Sequence, residues 1–355
     1  MEHCVPTANG SAALLVALEA LDVGPGDEVI VPGLTWVANA SAVLRVNAVP
    51  VLVDVDPQTL CVSVDGVRQA LTSRTGAICV VHLYSSMADM DGLRALADDA
   101  GVPLVEDCSQ AHGAAWGGAR AGTLGAVGVF SMQQTKVLTA GEGGAVITAS
   151  GDLARRLEQL RADGRVFRRA PPPVGALELA ELGEVTGANL AMSEVQAALL
   201  LEGLTRLEDE NRVREDNASR LDVALAELPG VTPIRSLPGQ TRRSYYHYVV
   251  RVDCRRFGRQ DVAPFAAMLS AELGFPAERI YRPLNDHPLY RPSTRRSSAL
   301  SAAYRAAVDP TRFRLPECDR AHDEVVSFHH RLLLGDDRDM DDVIGAFHKV
   351  WDHLA

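Results

Sequence analysis

An α/β fold is predicted, with a large, mostly parallel sheet followed by a smaller C-terminal α/β or α+β part. Three observations predict it. Up to about residue 149, strand-like and helix-like stretches alternate along the chain. The strand-like stretches are continuously apolar instead of alternating, the pattern of strands buried on both faces under flanking helices. The chain has 355 residues, which is room for one large core and a smaller one. The division is placed at about residue 215, giving a large domain over 1–215 and a small domain over 216–355.

The elements follow in order. Alanine and leucine fill 11–21, which predicts a helix stopped by Gly24-Pro-Gly26. A short strand is expected over 28–31, a helix over 36–46, and strands over 49–53 and 76–82, rich in Val, Ile and Cys. A helix over 90–100 carries Leu93 and Leu96 on one face. Strands are expected over 102–106, 125–131 and 144–148, then a helix over 152–162. Pro171-Pro-Pro173 marks a surface loop, and 191–220 holds a long helical pattern that connects to the second part. There, a strand over 245–252, a helix over 261–273, a strand over 325–329 and a helix over 340–351 complete the chain. Ligand chemistry in such sheets gathers outside the carboxyl ends of the strands.

Composition narrows the class. Hydrophobic residues make up 47% and charged residues 23%, ordinary for a globular protein. The net charge is −11, which argues against broad binding to nucleic acid or anionic membranes, since both favour a basic face. The six cysteines are scattered, with no C-x-x-C pair, and read as buried reduced thiols. No apolar run approaches the length of a membrane span, and a cytoplasmic location is expected.

Only two lysines, Lys136 and Lys349, occur among 35 basic residues. Lys349 falls on an amphipathic helical stretch and reads as surface. Lys136 ends Phe130-Ser-Met-Gln-Gln-Thr-Lys136 and precedes the glycine turn Gly141-Glu-Gly-Gly144. A guanidinium stays protonated and forms no imine, whereas an amine in a drier site can lose its proton and attack a carbonyl. Lys136 is therefore read as the Schiff-base lysine of a pyridoxal phosphate enzyme. Asp107 ends an apolar strand, where a carboxylate could face the cofactor's pyridine nitrogen. Glu106 beside it points the other way and is read as structural. Ser131, at a strand end, could hold a phosphate oxygen, and Asn9-Gly10-Ser11 opens a helix whose free N–H groups suit a phosphate. A plain helix cap is the rival reading of that motif. Trp36 could lie over the cofactor ring or pack in a core, and Gln110 could contact the ring oxygen. His112 is equally placed to contact the cofactor or to pack in the core, and it is given no catalytic role. His329 and His330, adjacent on a strand, should point opposite ways and share no metal ion. No G-x-G-x-x-G, P-loop or G-x-S-x-G motif is present.

These stretches together resemble the DegT/StrS-type sugar aminotransferases, a pyridoxal phosphate-dependent family of fold type I, like aspartate aminotransferase. The matching segments are TANGSAAL, PGLTWVANASAV, VPVLVDVD, VEDCSQAHGA, FSMQQTKVLTAGEGG, TGANLAMSEVQAA and VVSFHH. Within the family, SMQQTK and RPLNDHPLY look most like the glutamine-dependent aminotransferases of scyllo-inosose or 2-deoxy-scyllo-inosose in aminoglycoside formation. The resemblance implies that Lys136 holds the cofactor and moves the substrate proton, and that Asp107 pairs with the pyridinium. It places Gln110 near the ring oxygen, Trp36 on the ring, and Gly10, Ser11 and Ser131 on the phosphate. It implies that Asn189 reaches the phosphate of a neighbouring subunit, so that a homodimer shares its active sites. Two other readings stay open: a glutamate-dependent nucleotide-sugar aminotransferase, and a non-catalytic scaffold of the same fold. Three departures are noted. Relatives begin several dozen residues earlier, so an N-terminal helix and arm is expected to be missing. Leu190 and Ala191 stand where aromatic and arginine residues are frequent, and Ser85 stands where glycine is common.

Overall fold

The computed structural model describes residues 1–168, 173–176, 178–299 and 301–354. Pro171 and Pro172 of the expected loop lie outside them. The core element is a seven-stranded sheet. Its order is His3–Thr7, Gly144–Thr148, Val127–Ser131, Leu104–Asp107, Thr75–Val81, Glu28–Pro32 and Val49–Val53. The five strands from Val127–Ser131 to Val49–Val53 pair in parallel. Gly144–Thr148 runs against its neighbours on both sides. The mostly parallel sheet expected from continuously apolar strands is thus present. The edge strand His3–Thr7 was not anticipated; it has only five residues and borrows its pairing from a strand far along the chain.

Helices cover both faces. Gly10–Ala20 is capped by Asn9, whose side chain accepts from the Ala12 N–H at 2.9 Å. Eight of its 11 residues are buried, which is why its sequence is apolar all round. Met90–Ala100 starts at the predicted residue because Asp89 accepts from the Gly92 N–H at 3.1 Å. The helix expected from residue 36 starts at Ala38, leaving Thr35 and Trp36 outside it. The long helix Glu194–Leu225 opens on a capping box formed by Ser193 and Gln196.

A second sheet has the order Val231–Pro233, His247–Val252, Val325–His329, Ala277–Arg279, and its pairs are antiparallel. Helices Ala263–Leu273 and Asp337–Leu354 pack on it through Phe265, Leu269, Met340 and Phe347. The expected strand start at Tyr245 moves to His247, because the Tyr246 N–H turns to the Tyr84 carbonyl of the first unit at 2.8 Å. Five of the six cysteines are buried and all are free; Cys4 is exposed, in contrast to the expectation of burial. Among the described residues no helix is long and apolar enough to cross a membrane.

Candidate active site

The parallel strands end on one edge, and the helix Gly10–Ala20 begins there. Gly10 and Ser131 meet at this edge: a Cβ on Gly10 would lie 2.6 Å from Ser131 Cβ and 3.0 Å from its Oγ. Only glycine lets the helix start sit against the strand end, which puts the free N–H groups beside the serine hydroxyl. A Cβ on Gly144, the last residue of the glycine turn, would likewise lie inside contact distance of the Asn9 carbonyl oxygen, so the turn closes on the same point.

A cavity of about 700 Å³ opens above this edge. Gly10, Ser11, Trp36, Asp107, Gln110, Ser131 and Lys136 all line it. Asn189 does not; it is exposed and pairs with Ala162 in an isolated bridge. Its neighbour Leu190 lines the cavity instead.

Asp107 is buried and held from two sides. Asn39 Nδ2 donates to its Oδ2 at 2.8 Å, and the Ser109 N–H donates to its Oδ1 at 2.9 Å. The Cys79 thiol donates to Asn39 Oδ1 at 3.0 Å, which fixes the amide with its nitrogen toward Asp107. Burial, followed by the charge of Asp107, pushes the Cys79 thiol well up, so it stays a donor. Lys136 Nζ lies 4.1 Å from the centre of the Tyr246 ring. Its backbone N–H donates to the Gln133 carbonyl at 2.8 Å, closing the turn that carries it.

Gln110 is tied to protein: its Oε1 accepts from the Tyr84 N–H at 2.7 Å and its Nε2 donates to Tyr281 Oη at 3.3 Å. Trp36 is 47% exposed and stands 5.9 Å, ring to ring, from Tyr281. It is a rim residue of the cavity and not part of the core. Glu106 faces away from the cavity, as expected, and accepts the N–H groups of Gly122, Leu124 and Gly125 at 2.9, 2.6 and 2.5 Å. His82 donates to it as well at 3.2 Å. His112 is buried against Phe130, 5.5 Å ring to ring, and burial lowers its pKa to about 3. His329 and His330 depart from the expectation of opposite directions. The strand stops at His329, a 3₁₀ turn starts at His330, and the two rings come to 4.1 Å of one another. Ser85 is buried, and its Oγ accepts from Arg243 Nη2 at 2.7 Å; it does not line the cavity.

Among the lining residues that were not foreseen are Asn39, Tyr246, His247 and Tyr281. The run Tyr245-Tyr246-His247, in a chain with only 5% aromatic residues, was the available signal.

A glycine-seated helix start, a buried carboxylate and a lysine at the carboxyl edge of a doubly wound sheet define a cofactor-dependent α/β enzyme. More narrowly, this chain belongs to the DegT/DnrJ/EryC1/StrS aminotransferase family, whose profile matches residues 1–348. It is 53% identical over 353 residues to the L-glutamine:2-deoxy-scyllo-inosose aminotransferase of Streptomyces fradiae, covering 99% of this chain and 83% of that protein. It is 52% identical over 351 residues to the L-glutamine:scyllo-inosose aminotransferase of Streptomyces griseus, covering 99% and 82%. Among solved structures, 3-amino-5-hydroxybenzoic acid synthase superposes with a TM-score of 0.83 at 30% identity, over 99% of this chain and 87% of that one. DesV of S. venezuelae, solved with a ketimine intermediate, gives 0.80 at 32%, over 99% and 85%. The protein is an aminotransferase, and its cofactor is pyridoxal phosphate.

The residues present fit that cofactor. The space a Cβ would fill at Gly10 is left open next to Ser131, which suits a phosphate. The buried Asp107 suits a protonated ring nitrogen, and Lys136 supplies the primary amine.

Proposed function

We propose that this enzyme transfers the amino group of L-glutamine to a cyclitol ketone, 2-deoxy-scyllo-inosose or scyllo-inosose, in the formation of aminoglycosides. The observation that carries the chemistry is the cavity that collects Lys136, Asp107 and the Gly10–Ser131 contact at one sheet edge. The choice of ketone and donor is supported by the named activities of the relatives at 53% and 52% identity. The cavity's volume is within the range of about 300–1,000 Å³ that small-molecule sites occupy.

When bound, pyridoxal phosphate supplies an aldehyde for amine exchange and a ring that accepts the electrons released at the substrate carbon. In this reading Lys136 would hold the cofactor, and its Nζ would carry the substrate proton. Tyr246 presents its ring to Nζ, 4.1 Å from the ring centre. Asp107, oriented by Asn39 and Ser109, would hold the protonated ring nitrogen. Gly10, Ser11 and Ser131 bind phosphate. Trp36 would cover the ring from the rim, and Gln110 would offer the ring oxygen the amide hydrogen that Tyr281 leaves unused. Asn189, exposed outside its own cavity, completes the phosphate site of the partner in a homodimer. The same reading places the enzyme in the cytoplasm and divides it at about residue 215 into a large cofactor-binding part and a small part.

Two measurements test this. Purified enzyme with added cofactor should be yellow, and the colour and its borohydride-fixed adduct should vanish in Lys136→Ala. Incubation with L-glutamine and 2-deoxy-scyllo-inosose should give an aminated cyclitol. An aminated product only from L-glutamate and a keto-nucleotide sugar would overturn the substrate assignment.

A further inference from the structure

Two imidazoles converge on one carbonyl oxygen beside Lys136. His329 Nε2 lies 2.8 Å and His330 Nε2 lies 3.2 Å from the Thr135 carbonyl oxygen. A carbonyl only accepts, so both ring nitrogens carry a hydrogen. The other nitrogen of each ring meets a fixed donor. The Arg331 N–H donates to His329 Nδ1 at 3.3 Å, and Arg214 Nε–H donates to His330 Nδ1 at 3.2 Å. A ring between a donor at Nδ1 and an acceptor at Nε2 satisfies both in one form only, the neutral Nε2–H tautomer. Arg214 cannot reverse its role, because guanidinium has no acceptor. It is itself buried and tied down, with Nη1 to Asn211 at 3.1 Å and Nη2 to Glu210 at 2.9 Å.

The peptide unit between Thr135 and Lys136 is therefore held at both polar groups. Its C=O takes two imidazole N–H bonds, and its N–H donates to the Gln133 carbonyl. The Thr135 hydroxyl adds a contact of 3.0 Å to Tyr246 Oη. Three side chains of the second sheet and its borders thus grip the turn of the first that carries the lysine.

We propose that His329 and His330 are positioning residues for Lys136, fixing the peptide plane from which its side chain enters the cavity. The inference rests on Lys136 being the reacting amine. Burial above all lowers the pKa of both rings, helped at His329 by Arg331, Arg214 and Lys136 and at His330 by the His329 ring and then Arg214, that of His330 to about 2; this keeps them neutral donors.

The test uses the holoenzyme and the variants His329→Leu, His330→Phe, His329→Gln and His330→Gln. A glutamine amide can donate near the position of Nε2, whereas leucine and phenylalanine cannot. A misplacement of about 1 Å at a reacting group costs about 100-fold, and loss of one of two restraining bonds shifts it by less. His330→Phe should therefore lower kcat per bound cofactor about 10-fold and shift the cofactor's absorbance, with the KM for L-glutamine nearly unchanged. His330→Gln should restore most of both. ¹⁵N NMR of the wild-type imidazoles should show Nε2–H at both residues, a readout that stands even if a variant fails to fold. Full cofactor loading with wild-type kcat and spectrum in the His329→Leu, His330→Phe double variant would overturn the inference, whatever its Tm. So would an Nδ1–H tautomer or an imidazolium at either ring. A wild-type enzyme that fixes no cofactor on Lys136 would instead sink the reading of the lysine.

Discussion

Gly10→Ala is the sharpest single perturbation of the cofactor seat. The new methyl carbon would lie 2.6 Å from Ser131 Cβ. Carbon atoms in contact sit about 3.5–4.0 Å apart, so the helix start or the strand end must retreat by roughly 1 Å. Ser131 is anchored by its strand's pairing with Gly144, and Asn9 is pressed against Gly144, so neither side yields freely. A retreat of that size takes a phosphate hydrogen bond of about 2.8 Å out of bonding range. One bond to a charged group contributes about 1.5–3 kcal/mol, which corresponds to roughly 10- to 150-fold in affinity. Titration of the apo-enzyme with pyridoxal phosphate, followed by absorbance, should show that weakening, and overpacking should lower Tm. Adding Ser131→Gly should recover Tm without recovering affinity, because the clash goes and the hydroxyl goes with it. A Gly10→Ala enzyme with the wild-type dissociation constant would refute the argument from close approach.

Other outcomes follow from the same geometry. Asn39→Ala removes a buried donor to Asp107 and leaves the Cys79 thiol without its acceptor, so kcat should fall by at least about 10-fold, read by steady-state kinetics. Glu106 has its pKa lowered despite burial, which works to raise it, by hydrogen bonds from His82 and the Gly122 and Gly125 N–H groups. A depressed carboxylate stabilises the fold above its ordinary value of 4.5, and that contribution is lost as pH falls through the folded-state value. Denaturant titrations should therefore show Glu106→Gln less stable than wild type at pH 7 by roughly 3 kcal/mol, with the gap narrowing in acid. Mixing Lys136→Ala with Asn189→Ala subunits should restore activity that neither has alone, since one site of the mixed dimer then holds an intact pair. No recovery on subunit exchange would remove Asn189 from the partner's site.

Local sequence carried the strand ends well. Asp107 and Ser131 were legible because an apolar run that stops on a polar residue places that residue at the sheet edge. Lys136 was legible because arginine is used almost everywhere else. What escaped depends on contacts between distant parts of the chain. Asn39 reads as a helical residue until the fold sets it against Asp107, 68 positions away. Tyr246 reads as a strand residue until Thr135 and the Tyr84 carbonyl meet it. The alternation rule failed at His329 and His330 because it holds only inside a strand, and the strand ends between them. His3–Thr7 is too short and too mixed to show a period of its own.

The surroundings of the cavity are stitched between distant parts of the chain: Tyr84 to Tyr246, Gln110 to Tyr281, and Thr135 to His329 and His330. The amine-bearing turn thus owes its shape to residues more than a hundred positions downstream. Cutting the gene near codon 215 to obtain a minimal catalyst would leave the chemistry-bearing half without its supports. Swapping the C-terminal portion between relatives would then tune the lysine itself as well as the choice of substrate.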